Sequence, residues 1–141
     1  MIRKASAVWQ GDLKSGKGTM TAPSGVMTNA AYSFATRFEE APGTNPEELI
    51  AAAHAGCFSM ALSAELGKAG LTPERVATVA AVTLETVDGK PTVTKSHLTV
   101  RAKVPGADNA KFLEIAGGAK AGCPISRLLK AEITMDAALE G

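Results

Sequence analysis

The stretch from Leu49 to Leu66 is the strongest constraint on the fold. It is apolar and strewn with very small side chains, among them Ala51, Ala52, Ala53, Ala55, Gly56, Ala61 and Ala64. Asn45-Pro46-Glu47-Glu48 stands just before it. Asparagine is a favoured N-cap. Proline suits the first helical position, where its missing N–H costs nothing, and an acid three residues after the cap fits a capping box. Glu47 and Glu48 also suit the positive end of the helix dipole. The pattern predicts a helix from about Pro46 to Leu66, stopping at Gly67 or Gly70. A helix so smooth on nearly every face can be closely surrounded, which predicts a central place against a sheet. His54, Ser59, Ser63 and Glu65 interrupt the apolar run, so it reads as a poor membrane span and a good core helix.

On either side the chain reads as strands. Ala5 to Trp9, a turn at Gly11-Asp12 and a second turn at Ser15 to Gly18 give short N-terminal strands. Tyr32 to Phe38 alternates with period two, placing Tyr32, Phe34, Thr36 and Phe38 on one strand face and Arg37 on the other. Thr78 to Val87 and Thr92 to Val104 alternate around the hairpin signal Asp88-Gly89. Asp108 or Asn109 can cap a helix over Ala110 to Gly122. Pro124 cannot continue that helix but can open a short one over Ile125 to Lys130. Ala131 to Leu139 reads as a last strand. Strands in runs with helices between them predict an α+β fold with a largely antiparallel sheet.

A length of 141 residues fits one domain spanning 1–141. Hydrophobic residues make up 45% and aromatic ones only 4%, so the core must rest on aliphatic side chains. The formal net charge is +1, and no basic run exceeds two residues. Nucleic acid and membranes are therefore not expected partners. The N-terminus leads directly into a strand pattern without a signal-like segment, and the expected compartment is the cytoplasm. Two cysteines in a reducing compartment are more often catalytic, redox-active or simply buried than a structural staple.

Cys57 sits inside the smooth helix between Gly56 and Phe58. It has two readings: a small buried core residue, or a nucleophilic thiolate. Apolar walls favour the neutral thiol, so the second reading needs a cationic partner. Arg37, just before the loop into the helix, is the candidate. Its guanidinium can stabilise a thiolate and donate to peroxide oxygens. Glu47 can orient that arginine through a bidentate pair. Ten residues along one helix is roughly 15 Å, so Glu47 cannot touch its own Cys57. It acts through a loop, through Arg37 or from a partner subunit.

Cys123 lies at a helix break between Gly122 and Pro124, where a thiol is easier to reach than in mid-helix. It is either a packed turn residue or a resolving thiol that traps a sulfenic acid as a disulfide. His54 shares a helix face with Cys57 at spacing i, i+3. That opens two further readings: a Cys/His pair for acyl transfer, and a metal site from His54, Cys57 and Cys123.

Several stretches resemble the OsmC/Ohr family of osmotically inducible and organic hydroperoxide resistance proteins. They are Thr36-Arg37-Phe38, Gly43 to Leu49, Ala53 to Leu62 and Lys120 to Ser126. The most specific signal is Thr44-Asn45-Pro46-Glu47 with a cysteine ten residues after the glutamate, followed distally by Cys123-Pro124. An arginine in a Thr-Arg-Phe context just before this loop is similar to the OsmC branch. The resemblance covers nearly the whole chain, and no key position departs from it.

It implies an OsmC-like fold in which sheets wrap around paired central helices in an intertwined homodimer. It implies Cys57 as the peroxidatic cysteine, Cys123 as the resolving one, and Arg37 with Glu47 as the pair that polarises the thiol. The implied activity is a thiol-dependent peroxidase, of the peroxiredoxin type, that reduces organic hydroperoxides in oxidative and osmotic stress defence. Its implied reductant is a dithiol of lipoyl type. No bound cofactor or metal is required, because the electrons come through thiol exchange. An apolar pocket lined by Phe38, Leu49, Phe58, Met60 and Ile125 would suit both molecules.

Overall fold

The computed structural model describes residues 1–141. The chain divides into two compact units, Met1–Leu49 and Ile50–Gly141, and the boundary falls in the first turn of the long helix.

The first unit holds strands β1 (Ser6–Gln10), β2 (Lys17–Thr21) and β3 (Ala30–Tyr32), then helix α1 (Phe34–Phe38). The strands form one antiparallel sheet in the order β1-β2-β3. At its centre Gly18 pairs with Trp9 on one side and Tyr32 on the other. The two rings lie 5.5 Å apart at their centroids and cover the glycine. A Cβ there would come within 2.5 Å of the Tyr32 ring and 2.7 Å of the Trp9 ring. Only glycine lets the two aromatics close over the strand.

Helix α1 corrects the expectation of a strand from Tyr32 to Phe38. The strand ends at Tyr32, and Ser33 caps the helix. Thr36 N–H donates to Ser33 Oγ at 3.2 Å and Ser33 N–H donates to Thr36 Oγ1 at 2.9 Å. This reciprocal pairing satisfies two donors at once and outweighs the period-two pattern. Phe34 and Phe38, one turn apart, pack at 5.0 Å. Arg37 therefore lies in the last turn of a short helix and not on a strand.

Helix α2 (Pro46–Lys68) starts as the cap signals predict. Glu48 N–H donates to Asn45 Oδ1 at 2.8 Å, while the Glu48 carboxylate accepts from Thr44 Oγ1 at 2.7 Å and leaves the capping box half formed. The helix ends at Lys68, near Gly70, whose φ of +77° suits a chain reversal. One face buries His54, Phe58, Leu62 and Leu66 in the second unit. The opposite face, with Ala52, Ala53, Gly56, Met60 and Ala64, is exposed. By length and composition α2 is apolar enough to cross a membrane, with a mean hydropathy of 1.4 in its most apolar window. Its inner face is nonetheless committed to the core of the second unit.

That unit continues with β4 (Arg75–Val87), β5 (Lys90–Lys103), α3 (Asn109–Gly122), α4 (Pro124–Leu128) and β6 (Glu132–Leu139). β4 and β5 form the hairpin that Asp88-Gly89 predicts, with both turn residues at positive φ. β6 lies on the other side of β5 and runs parallel to it, the one parallel pairing in the chain. Asp108 caps α3 through Lys111 N–H at 3.1 Å. The core joins Phe58, Leu62 and Leu66 of α2, Leu98, Val100 and Ala102 of β5, and Phe112, Ala116 and Ala119 of α3. Each large apolar side chain buried there stabilises by about 1.5–3 kcal/mol.

Candidate active site

Two residue pairs stand out, one in each unit. In the first, Glu47 in the opening turn of α2 is 9% exposed and holds Arg37. Arg37 Nη2 donates to Glu47 Oε1 at 2.9 Å, and Nε donates to Oε1 at 3.1 Å and to Oε2 at 3.3 Å. Asn45 fastens the same loop, its amide donating to the Thr36 carbonyl at 3.0 Å. The guanidinium is thus pinned along its Nε–Nη2 edge, and Nη1 stays free to donate elsewhere. A cavity of about 280 Å³ in this unit is lined by Trp9, Leu13, Tyr32, Phe34, Arg37 and Phe38. It is an apolar hollow with one cation on its wall.

In the second unit, Cys57 on α2 and Cys123 at the junction of α3 and α4 place their sulfurs 3.1 Å apart. Both are free thiols, Cys57 half-buried and Cys123 fully buried. A disulfide needs about 2 Å, so small local shifts would join them. Burial is the largest influence on Cys57 and pushes its thiol above the ordinary value. The Ile125 N–H opposes that rise and Cys123 adds to it. Burial also pushes Cys123 up, but the Ser126 N–H, the Cys57 thiol, the Ser126 side chain and the Ile125 N–H together bring it below the ordinary value. Within this unit the charge therefore settles more readily on Cys123. A thiolate on Cys57 needs a cation from outside these surroundings.

His54 is fully buried one turn before Cys57, and neither further reading of it survives the geometry. Its Nδ1 is 2.7 Å from Ser96 Oγ and its Nε2 is 2.7 Å from Ser126 Oγ. With both ring nitrogens taken by hydroxyls, it has no lone pair to spare for either thiol or for a metal ion. No three His, Cys, Asp or Glu side chains cluster as a metal site. Nothing in the sequence ties Ser96 or Ser126 to His54, because neither lies near it in the chain.

The expected apolar pocket also needs correction. Phe58 is fully buried and belongs to the core, and Met60 is 79% exposed on the opposite face of α2. Side chains two positions apart on a helix point to different faces, which apolarity alone does not register.

A family model described as OsmC-like protein matches residues 39–138. Peroxiredoxin OsmC of Escherichia coli is 54% identical over 134 residues, covering 95% of this chain and 94% of that protein. Among solved structures, the organic hydroperoxide resistance protein OhrB of Bacillus subtilis superposes with a TM-score of 0.72 at 24% identity, covering 97% of this chain and 98% of that one. An OsmC-like protein of Mycoplasma pneumoniae superposes with a TM-score of 0.75 at 15% identity, covering 100% and 99%. These two likenesses speak for the α+β fold, and the sequence matches place the chain: it belongs to the OsmC family.

Proposed function

We propose that the protein is a thiol peroxidase that reduces organic hydroperoxides to alcohols, with Cys57 as the attacking thiol and Cys123 as the resolving thiol. The observation that carries this reading is the pair of free sulfurs 3.1 Å apart. The name of the Escherichia coli relative, Peroxiredoxin OsmC, supports it.

The Cys57 thiolate attacks the terminal peroxide oxygen. The O–O bond breaks, the sulfur becomes a sulfenic acid, and the alkoxide takes a proton to leave as an alcohol. The Cys123 thiolate then attacks the Cys57 sulfur, forming the disulfide and releasing hydroxide, which leaves as water once protonated. An external dithiol reduces the disulfide by thiol exchange and is itself oxidised. A lipoyl-type dithiol suits this last step because its chain is apolar. No resident cofactor enters the scheme. A reducing compartment such as the cytoplasm keeps both thiols free between turnovers.

In this reading Arg37, held by Glu47, supplies the cation that Cys57 lacks within its own unit. The guanidinium comes from the same chain or from a partner. Residues 1–141 act as one OsmC-like domain, matching a relative of nearly equal length, and the working form is an intertwined homodimer. The exposed small-residue face of α2 and a β1 strand exposed along its whole length are surfaces that a second copy would cover.

Consumption of cumene hydroperoxide with a panel of monothiols and dithiols tests the activity. Wild-type protein turns over with a dithiol, and a Cys57→Ser protein that kept full turnover would remove the assignment. Sedimentation of the wild type and of Ala64→Glu tests the dimer, which the added charge should weaken.

A further inference from the structure

The loop between β1 and β2 is held in one shape. Asp12 Oδ1 accepts from the Ser15 N–H at 2.8 Å and from the Ser15 hydroxyl, and the Gly16 N–H donates to the Asp12 carbonyl at 3.0 Å. Trp9 Nε1 donates to the Gly11 carbonyl at 3.1 Å and ties the loop to the sheet. Gly11 has a φ of +93°, and a Cβ on Gly16 would fall 2.3 Å from the Asp12 carbonyl oxygen, so the turn needs both glycines. With the Asp12 carboxylate occupied in this way, the loop presents Leu13 and Lys14, both exposed. Leu13 joins Trp9, Tyr32, Phe34 and Phe38 in the wall of the cavity that Arg37 lines. Lys14 stands at its rim, with Nζ 6.0 Å from the centroid of the Phe34 ring, while Arg37 Cζ lies 5.3 Å from that of Phe38. Phe34 and Phe38 pack together, so a cation stands at each end of one continuous apolar wall. The two cations differ. Arg37 is matched by Glu47, whereas Lys14 makes no ion pair. No carboxylate lines the cavity. Trp9, Leu13 and Phe38 are exposed although apolar, and apolar side chains gathered around a hollow mark a ligand site.

We propose that Lys14 is a specificity-determining residue, selecting organic hydroperoxides that carry a carboxylate at the far end of an apolar chain. The chain lies along Leu13, Trp9, Phe34 and Phe38. The hydroperoxide end meets the free Nη1 of Arg37, and the carboxylate pairs with Lys14 at the rim. Glu47 already takes the Nε–Nη2 edge of Arg37, the edge that would grip a carboxylate through two nitrogens. That leaves Lys14 as the free cation for the acid. A cavity of about 280 Å³ is near the lower end of small-ligand pockets and suits a short alkyl or aryl chain. The inference deepens the peroxidase reading and rests on it for the hydroperoxide end. Capture of the acid end by Lys14 requires no reaction.

The test reads binding through the fluorescence of Trp9, the single tryptophan and part of the cavity wall. Octanoate, decanoate and the alcohols of the same lengths are titrated against the full chain at neutral pH and low salt. Wild type should bind each acid about three- to fivefold more tightly than its alcohol, the strength of an exposed ion pair. The preference should fade as salt rises. Lys14→Gln should remove the preference and leave alcohol binding in place. Lys14→Arg should keep it, and Lys14→Glu should reverse it. Leu13→Ser should weaken acids and alcohols alike. A wild type without preference, or the same preference in Lys14→Gln, would overturn the proposal. In turnover, Lys14→Gln should lower kcat/KM for a carboxylate-bearing alkyl hydroperoxide by the same factor and leave that for cumene hydroperoxide unchanged. Selective binding of acids by a protein that consumes neither hydroperoxide would defeat the peroxidase reading while leaving the Lys14 site standing. Consumption of both hydroperoxides without selectivity would do the reverse.

Discussion

Cys57 and Cys123 are 66 residues apart in the chain and 3.1 Å apart at sulfur. One is carried by the long helix α2, the other by the break between α3 and α4. Cys57→Ser should abolish peroxide consumption. Cys123→Ser should react once and then over-oxidise, because no thiol captures the sulfenic acid. Intact mass after a titration with hydroperoxide measures this. Equal accumulation of sulfinic acid in wild type and Cys123→Ser would count against the resolving role.

The bidentate hold of Glu47 on Arg37 gives the second test. Arg37→Ala should move alkylation of Cys57 to higher pH and slow the peroxide step on the order of a hundredfold, as loss of one strong donor does. Arg37→Lys should restore little, since an ammonium has one nitrogen and cannot hold a carboxylate through two and still present a third. Glu47→Gln should fall between wild type and Arg37→Ala. Stopped-flow thiol oxidation across a pH series reads all three.

Stability below neutral pH tests the buried histidine. The folded state holds His54 neutral and its pKa below 6.5, with burial as the cause. The unfolded chain binds a proton there before the folded one does. The contribution is thus complete above pH 6.5 and is lost as pH falls through the lower folded value. Thermal melting of wild type should decline more steeply as pH falls below 6.5 than melting of His54→Gln. Parallel curves would show that the ring is not the group responsible.

Gly18 offers a test confined to the first unit. Gly18→Ala forces a methyl between Trp9 and Tyr32 and should cost about 1–3 kcal/mol. Trp9 is the single tryptophan, so its fluorescence reports the event directly. An unchanged emission spectrum and an unchanged melt would show that the ring pair does not depend on the glycine.

Much of this protein was legible in local sequence. The start of α2 follows from Asn45, Pro46 and Glu48, and the β4–β5 hairpin from Asp88-Gly89, because caps and tight turns are decided by neighbours within a few residues. The α1 segment reads as a strand because Tyr32 to Phe38 alternates, while the Ser33–Thr36 capping pair that decides for a helix is equally local. Residue type and family resemblance together point to Cys57, Cys123, Arg37 and Glu47.

Local patterning suffices to read which segments become helix or strand over most of the chain, and which side chains have the chemistry to react. These properties depend on backbone preferences and on functional groups, both carried residue by residue. Long-range packing alone brings Cys123 to Cys57, lays β6 parallel to β5 and closes His54 off between Ser96 and Ser126. Those contacts join residues up to 72 positions apart. Burial of one shared core selects them, and no local pattern records which distant surfaces that core will bring together.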